Sequence, residues 1–97
     1  MKTRSEYLEL LNTHITDLKE QFGVRSFRLF GSVARNEHTE ESDVDVCVDL
    51  ENPSLFNLVH IKEELQQLFG KTVDIIRIRP EMDALMKRDI MMEGLYV

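Results

Sequence analysis

Two aspartates separated by one residue form the part of this sequence with the clearest capacity for chemistry. Asp43 and Asp45 begin an apolar run, and ten residues separate them from Gly31-Ser32, which ends an earlier one. Residues at i and i+2 of a strand point to the same face, with backbones about 6.5 to 7 Å apart at a rise of about 3.3 Å per residue. Two such carboxylates can share one or two divalent cations that prefer hard oxygen ligands. The spacing therefore predicts a metal site at the head of a strand.

The same residues have a simpler interpretation. Paired aspartates are common on solvated sheet faces, and Gly31-Ser32 could be an ordinary strand-to-helix turn with a serine cap. The full pattern is rarer, however, and would arise by chance in about one in a thousand chains of this length. Gly31 allows backbone to approach a ligand closely, and the amides of a short helix over 32–35 would favour phosphate. The combined pattern favours a site for a phosphorylated ligand.

A third acidic residue, Asp74, interrupts a β-branched run. A carboxylate in the middle of an apolar strand is costly to bury unless it is paired or bound to a metal. We therefore expect Asp74 to lie at the sheet surface beside the opening that Asp43 and Asp45 face. A solvated residue at the sheet edge is the alternative.

Hydrophobic periodicity predicts three helices. The first covers 5–22, with Thr3 or Ser5 as its cap and Gly23 at its end. The second begins near Pro53, and the third covers 80–93 with a methionine-rich stripe that suits either a core or a partner interface. The stripe of the first helix is Leu8, Leu11, Ile15, Leu18 and Phe22. That of the second, which ends at Gly70, is Leu55, Leu58, Ile61 or Lys62, Leu65, Leu68 and Phe69.

Strands are predicted where β-branched or alternating apolar residues form short runs. These runs cover 24–30, 43–50 and 72–78, with a short final strand over 95–97. In the second strand the valines should be buried against the helices while the aspartates face the opening. Cys47 falls on the aspartate side, where a small filler is the favoured interpretation and a nucleophile the alternative. In the loop between the first two strands, Asn36 should adopt a left-handed turn and His38 should be exposed to solvent.

Length and composition limit the classes of function. Ninety-seven residues predict one domain, 1–97, without room for a separate acceptor-binding domain. A net charge of −6 argues against extensive contact with nucleic acid. A single cysteine excludes an intramolecular disulfide, and no apolar run approaches the roughly 20 residues that span a bilayer. We expect a cytoplasmic protein that does not bind membranes.

The motif residues resemble the core of the DNA polymerase β-like nucleotidyltransferases. The resemblance is closest to the minimal nucleotidyltransferases (MNT or MntA-like proteins) that are paired with HEPN proteins in prokaryotic toxin-antitoxin loci, and it covers nearly the whole chain. It implies an α/β (α+β) fold with a small mixed β-sheet flanked by helices. Family members often have glycine where this chain has Asn36. The residues that carry the resemblance are Gly31, Ser32, Ala34, Arg35, Ser42, Asp43, Asp45 and the apolar Val44, Val46 and Val48.

The resemblance also implies roles for these residues. Asp43 and Asp45 would be the catalytic carboxylates that bridge two Mg²⁺ ions, and Asp74 would be the third metal ligand, placed to ease proton removal from the acceptor. ATP would be the nucleotide substrate. Arg35 could reach the triphosphate or pair with an acidic residue, and both alternatives stay open. The nucleotide-binding residues implied by the resemblance are Gly31, Ser32, Arg35 and Ser42.

The function implied is transfer of AMP from ATP to a hydroxyl, tyrosine in the resembled systems, of a partner HEPN toxin. The chain would then be the antitoxin of a type VII toxin-antitoxin system and would form a hetero-oligomer with its toxin. Two alternatives remain: an antitoxin that neutralises its toxin by binding alone, and a nucleotidyltransferase that modifies small molecules such as antibiotics.

Overall fold

The computed structural model describes residues 2–52, 54–78 and 95–96 of the chain. Helices and strands alternate along most of this length. In chain order they are α1 (Arg4–Phe22), β1 (Val24–Phe30), α2 (Gly31–Ala34), β2 (Val44–Leu50), α3 (Leu55–Phe69), β3 (Val73–Arg77) and β4 (Leu95–Tyr96). The predicted helix over 80–93, Pro53 and the end of the last predicted strand at Val97 lie outside the described residues.

The four strands form one mixed sheet in the order β3-β2-β1-β4. β1 runs antiparallel to both β2 and β4, whereas β2 and β3 are parallel and are joined through α3. A parallel pair requires such a crossover because its second strand must start at the same edge as the first. The predicted small mixed sheet flanked by helices is thus confirmed.

The alternation of β2 determines which face of the sheet is covered. Val44, Val46 and Val48 are fully buried in one core cluster with residues of α1 and α3. Asp45 and Cys47, which lie between them, point to the opposite face, because side chains alternate along a strand. The prediction for β2 is therefore confirmed, with the strand beginning at Val44 and not at Asp43.

The helix stripes were predicted less accurately than the strands. Leu55 was expected to be buried, but it is 77% exposed, and the neighbouring Phe56 is also largely exposed. Tyr7, which lies outside the predicted stripe, is almost fully buried and contacts the ring of Phe69 edge-to-face. The other apolar residues of both predicted stripes are buried or partly buried, so the stripes differ from the prediction mainly at Leu55 and by the addition of Tyr7. Across the described part of the chain, no helix has the length and apolar character needed to cross a membrane.

Thr3, and not Ser5, caps α1. The Thr3 hydroxyl accepts a hydrogen bond from the Glu6 amide at 3.2 Å, and the Glu6 carboxylate accepts one from the Thr3 amide at 3.1 Å. This reciprocal pair is a capping box, which satisfies two amides that the helix cannot pair internally. At the other end Gly23 adopts φ 67°, as predicted for a C-terminal glycine.

The cap makes a prediction about stability. Thr3→Ala should lower the free energy of unfolding by about 1 kcal/mol, because an N-terminal amide loses its partner. Ser5→Ala, two residues away on the exposed surface, is the matched control and should change it by less than about 0.5 kcal/mol. Urea denaturation followed by circular dichroism measures both. Equal losses in the two variants would contradict the assignment of the cap.

Candidate functional site

The turn that ends β1 packs directly against Asp45. Gly31 has φ 68° and is buried, and α2 begins there with Phe30 as its N-cap residue. A Cβ atom at Gly31 would overlap Oδ2 of Asp45 and would lie 3.1 Å from its Cγ. The missing side chain therefore creates the space that the carboxylate occupies. Since Phe30 has no hydrogen-bonding side-chain group, the serine cap considered for this turn is wrong.

Asp74 lies beside Asp45 in the parallel β2–β3 pair. The two residues are register partners, so their side chains leave the same face of the sheet. Asp43 precedes β2 by one residue and is exposed, whereas Asp45 is half-buried. The structure thus brings Asp45 and Asp74 together, as the sequence predicted, with Asp43 directly before the start of β2.

The surroundings of Asp45 disfavour the ionised form of its carboxylate. Burial raises the pKa of Asp45, and the negative charges of Asp74 and Asp43 raise it further. Arg35 lowers this pKa and offsets part of the effect. A cation at this position would favour the ionised carboxylate, because an opposite charge stabilises the charged form.

The chemistry of the donors suits a hard divalent cation, although the side chains are not arranged as a finished cage. Within the described ranges, no three carboxylate, imidazole or thiol groups already form a cluster of ligating geometry. Asp43, Asp45 and Asp74 offer six carboxylate oxygens along one edge, and oxygen is the ligand that Mg²⁺ prefers. The residues present therefore fit Mg²⁺ by chemistry and strand register, and their role as ligands stays a prediction.

Arg35 forms an ion pair with an acidic residue, one of the two predicted alternatives, and its contact with a triphosphate stays a prediction. Its Nε donates to Oε2 of Glu37 at 3.2 Å, and both side chains are largely exposed. Exposed ion pairs of this kind contribute about 0–1 kcal/mol. The ion pair with Glu37 would therefore oppose a movement of Arg35 toward a phosphate only weakly.

The remaining predicted nucleotide contacts are Ser32, which lies in α2, and Ser42, which lies near the end of the loop between α2 and β2. Ser32 is half-buried in α2, and its carbonyl accepts a hydrogen bond from the Glu37 amide at 2.8 Å. The Ser42 hydroxyl accepts one from the Thr39 amide at 2.9 Å. Ser42 thereby closes a turn directly before Asp43, so its observed contacts are with the loop itself. The predicted left-handed turn at Asn36 is confirmed by its φ of 59°.

A buried arginine and a buried cysteine occupy the aspartate face behind Asp45. Arg28 of β1 is register partner to Cys47 of β2, and both are buried. Burial, followed by the charge of Asp45, raises the pKa of Cys47 to about 11, with Arg28 opposing the effect. A thiol with this pKa is a poor nucleophile at neutral pH, which supports the prediction that Cys47 is a filler. Sequence reasoning gave Arg28 no role, although alternation in β1 already placed it on this face.

A four-stranded mixed sheet with carboxylates at one edge and a glycine-serine turn beside them is the arrangement of a nucleotidyltransferase. The family model described as the nucleotidyltransferase domain matches residues 11–97, and the chain belongs to this family. A protein of Methanocaldococcus jannaschii named as a candidate protein adenylyltransferase is 39% identical over 98 residues, covering all of both chains. Protein adenylyltransferase MntA of Thermococcus cleftensis is 37% identical over 98 residues, covering 100% of this chain and 98% of that protein.

Solved structures show the same fold. One described as a candidate minimal nucleotidyltransferase superposes with a TM-score of 0.82 at 28% identity, covering 99% of this chain and 97% of the other. A complex of a tri-AMPylated Shewanella oneidensis HEPN toxin with its MNT antitoxin contains a chain with a TM-score of 0.64 at 16% identity, covering 91% of this chain and 69% of that one. The second likeness is one of fold alone.

The contact between Gly31 and Asp45 predicts unequal effects of alanine at two glycines with the same backbone conformation. Gly23 and Gly31 have φ of 67° and 68°, but an added Cβ has nothing within 4 Å at Gly23. Gly23→Ala should therefore cost only the left-handed conformation, about 1–2 kcal/mol. Gly31→Ala should cost about 1–3 kcal/mol more, because Asp45 must move.

Urea denaturation measures both variants. Adding Asp45→Ala to Gly31→Ala should recover most of the additional loss, since it removes the atoms that the new Cβ would meet. Equal destabilisation by the two glycine variants would show that the Asp45 carboxylate is not packed against the turn.

Because the pKa of Asp45 is raised, the free energy of unfolding should depend on pH. Between the ordinary value of 3.8 and the folded-state pKa, the folded protein keeps a proton that the unfolded chain has lost. Wild-type stability therefore falls as the pH rises through this window. Asp45→Asn should be more stable than wild type at pH 7 in the presence of EDTA, and this gain should disappear below pH 3.8.

The control for this prediction is Asp49→Asn on the same strand, where the carboxylate pairs with Arg25 at 3.9 Å. This variant loses an attraction and should gain no stability at pH 7. Denaturant titrations across the pH range decide between the two outcomes. A wild type as stable as Asp45→Asn at pH 7 would contradict the prediction that the ionised carboxylate of Asp45 destabilises the folded protein.

Proposed function

We propose that this chain is a metal-dependent protein adenylyltransferase that transfers AMP from ATP to a hydroxyl of a partner toxin and so acts as an antitoxin. The observation that carries the proposal is the position of Asp45, which lies in register with Asp74 and packs against Gly31. Carboxylates and a phosphate-binding turn must adjoin each other in such an enzyme, because the reacting phosphate lies between metal and turn.

The proposed reaction forms one bond and breaks one. The acceptor oxygen bonds to the α-phosphorus of ATP, the bond between that phosphorus and the bridging oxygen breaks, and pyrophosphate leaves. Two divalent cations, Mg²⁺ in this proposal, would activate the attacking oxygen and neutralise charge on the leaving group. Asp43 and Asp45 would hold both ions and Asp74 would complete the ion nearest the acceptor. Asp74 would also ease removal of the proton from the acceptor hydroxyl, which can reach it because its carboxylate is exposed.

The Gly31-Ser32 turn would receive the β- and γ-phosphates. No side chain at Gly31 separates the backbone from Asp45, so a triphosphate on the turn would lie next to ions held by the carboxylates. Arg35 would leave Glu37 for the triphosphate, and its charge already favours the ionised form of Asp45. In this proposal Ser42 contributes by holding the loop before Asp43 and can add a hydroxyl contact to the nucleotide.

The partner is proposed from the relatives, and the tyrosine acceptor from the family that the sequence motif resembles. The Thermococcus protein is named as a protein adenylyltransferase, and the fold neighbour from Shewanella is an MNT antitoxin bound to an AMPylated HEPN toxin. Another chain of this fold comes from a toxin-antitoxin complex with AMP-PNP, which supports ATP as the donor. We propose a HEPN toxin as the partner and a tyrosine hydroxyl as the acceptor, as in a type VII system. The net charge of −6 suits a basic protein partner.

One observation favours a second candidate, an antitoxin that acts by binding alone. The described residues contain no finished cluster of three metal-ligating groups. If the carboxylates never converge on a cation, the fold could still occlude a toxin without modifying it. The two functions differ in whether neutralisation requires Asp43 and Asp45.

Label transfer from ATP separates the two functions. With Mg²⁺, ATP labelled at the α-phosphate and the product of the neighbouring gene as the candidate toxin, the wild type should label that protein. Asp43→Asn combined with Asp45→Asn should reduce labelling by about a thousandfold, because the metals would lose their shared ligands. Asp49→Asn, on the same strand, should retain it. Asp74→Asn should fall between the two.

Suppression of toxicity in cells completes the test. The double variant should fail to protect cells although it folds and still binds the toxin. Protection by the double variant would instead establish neutralisation by binding. Absence of label transfer by intact wild type, with the correct toxin and Mg²⁺ present, would contradict the proposed activity.

A further inference from the structure

The loop of residues 36–43 joins the glycine-serine turn to Asp43, and parts of the chain outside it hold the loop in place. Lys71 donates from Nζ to the Glu40 carbonyl, which ties the loop to the segment before β3. Arg4 donates from Nη1 to the Ala34 carbonyl at 3.2 Å, just before the loop begins. His38 Nε2 lies 2.7 Å from the Lys2 carbonyl. The start of α1 and the α3–β3 connection together set the loop's position.

His38 lies in a polar loop, but its side chain contacts residues outside that loop. It was expected to be exposed, but it is half-buried, and its ring contacts that of Tyr7 edge-to-face with centroids 5.9 Å apart. Tyr7 is 2% exposed and in turn contacts Phe69 with centroids 5.2 Å apart. A series of three rings thus connects the loop to the core. The prediction of exposure was wrong because these contacts come from residues distant in sequence.

The polar atoms of His38 indicate what the position requires. A carbonyl only accepts hydrogen bonds, so Nε2 carries the hydrogen that it donates to Lys2. The other ring nitrogen, Nδ1, is buried and has no hydrogen-bond partner among the described residues. A buried acceptor without a partner is unfavourable, and an apolar ring would avoid it. The feature that distinguishes histidine here is therefore the donor at Nε2.

The chain between His38 and Asp43 can transmit this anchoring. The Thr39 carbonyl accepts a hydrogen bond from the Ser42 amide at 3.1 Å, and the Thr39 amide donates to the Ser42 hydroxyl at 2.9 Å. These two bonds close residues 39–42 into one compact turn. His38 fixes the first end of that turn, and Asp43 follows directly from the last.

We propose that His38 is a positioning residue that fixes Asp43 relative to the Gly31-Ser32 turn without touching nucleotide or metal. Its donor bond to Lys2 and its contact with Tyr7 hold the turn of residues 39–42, and that turn holds the carboxylate. The proposal deepens the proposed function and rests on it for the role of Asp43. The anchoring of the loop can be measured independently of any reaction.

Three histidine variants test the proposal. His38→Ala removes both the donor and the ring. His38→Gln lacks the ring but keeps an N–H group that can reach the Lys2 carbonyl. His60→Ala is the matched control, because His60 is exposed on α3. Hydrogen exchange of amides 39–44 reports anchoring, Mn²⁺ titration in the presence of ATP reports the site, and urea denaturation reports global stability.

In His38→Ala, exchange over 39–44 should accelerate by about tenfold, as expected for loss of one part-buried hydrogen bond. Affinity for Mn²⁺ with ATP should fall by a similar factor while the protein stays folded. His38→Gln should recover both quantities to within about threefold, and His60→Ala should match wild type.

Unchanged exchange over 39–44 in folded His38→Ala would overturn the proposal. So would accelerated exchange with unchanged Mn²⁺ affinity, because His38 would then be structural only. If His38→Ala does not fold, His38→Gln decides: failure to retain near wild-type exchange and affinity overturns the proposal. A wild type that binds Mn²⁺ and ATP but transfers no label would overturn the proposed function and leave the positioning role supported.

Discussion

The structure depends on how closely β2 approaches the end of β1 at Gly31. The Asp45 carboxylate occupies the space that any larger residue at Gly31 would fill, and the next strand places Asp74 beside it. This contact joins a turn suited to phosphate with an edge suited to cations. The rest of the fold serves to hold β1, β2 and β3 in that order.

The two faces of the sheet contribute to stability in opposite directions. On one face the valines of β2 are buried against α1 and α3, which gives the strand a strong preference for its register. On the other face, burial and neighbouring negative charges raise the pKa of Asp45, an unfavourable situation in the absence of a cation. Functional sites are commonly maintained at such a cost to stability. The buried valines stabilise the sheet enough to tolerate the unfavourable ionisation of Asp45. A bound divalent cation would offset most of this unfavourable charge.

Much of the fold could be predicted because its strands are short β-branched or alternating apolar runs, whose pattern is local. Alternation gave the bounds of β1 and, within one residue, those of β2. Helix periodicity was a weaker guide, since Leu55 at the start of α3 is exposed and Tyr7 is buried outside the expected stripe. Burial at a helix end depends on what packs against it, and that information is not local. The helix predicted over 80–93 lies outside the described residues.

The candidate site, like the fold, could be predicted only in part. The cost of burying an unpaired carboxylate, together with the family resemblance, was enough to place Asp74 at the sheet surface beside Asp45, because both depend on the residues of the sequence itself. The clearance between Gly31 and Asp45 and the anchoring of His38 depend on side chains brought together from distant segments, and no sequence spacing encodes them. The expected convergence of three carboxylates is realised only as far as the register pair with Asp43 nearby.

Crystals grown with Mn²⁺ and a non-hydrolysable ATP analogue would test the central claim most directly, through anomalous scattering from the metal. The account predicts Mn²⁺ at coordinating distance, about 2.0–2.3 Å, from carboxylate oxygens of Asp45, with Asp43 and Asp74 also ligating and the triphosphate on the Gly31-Ser32 turn. Metal bound away from Asp45, or a triphosphate on another surface of the sheet, would contradict it.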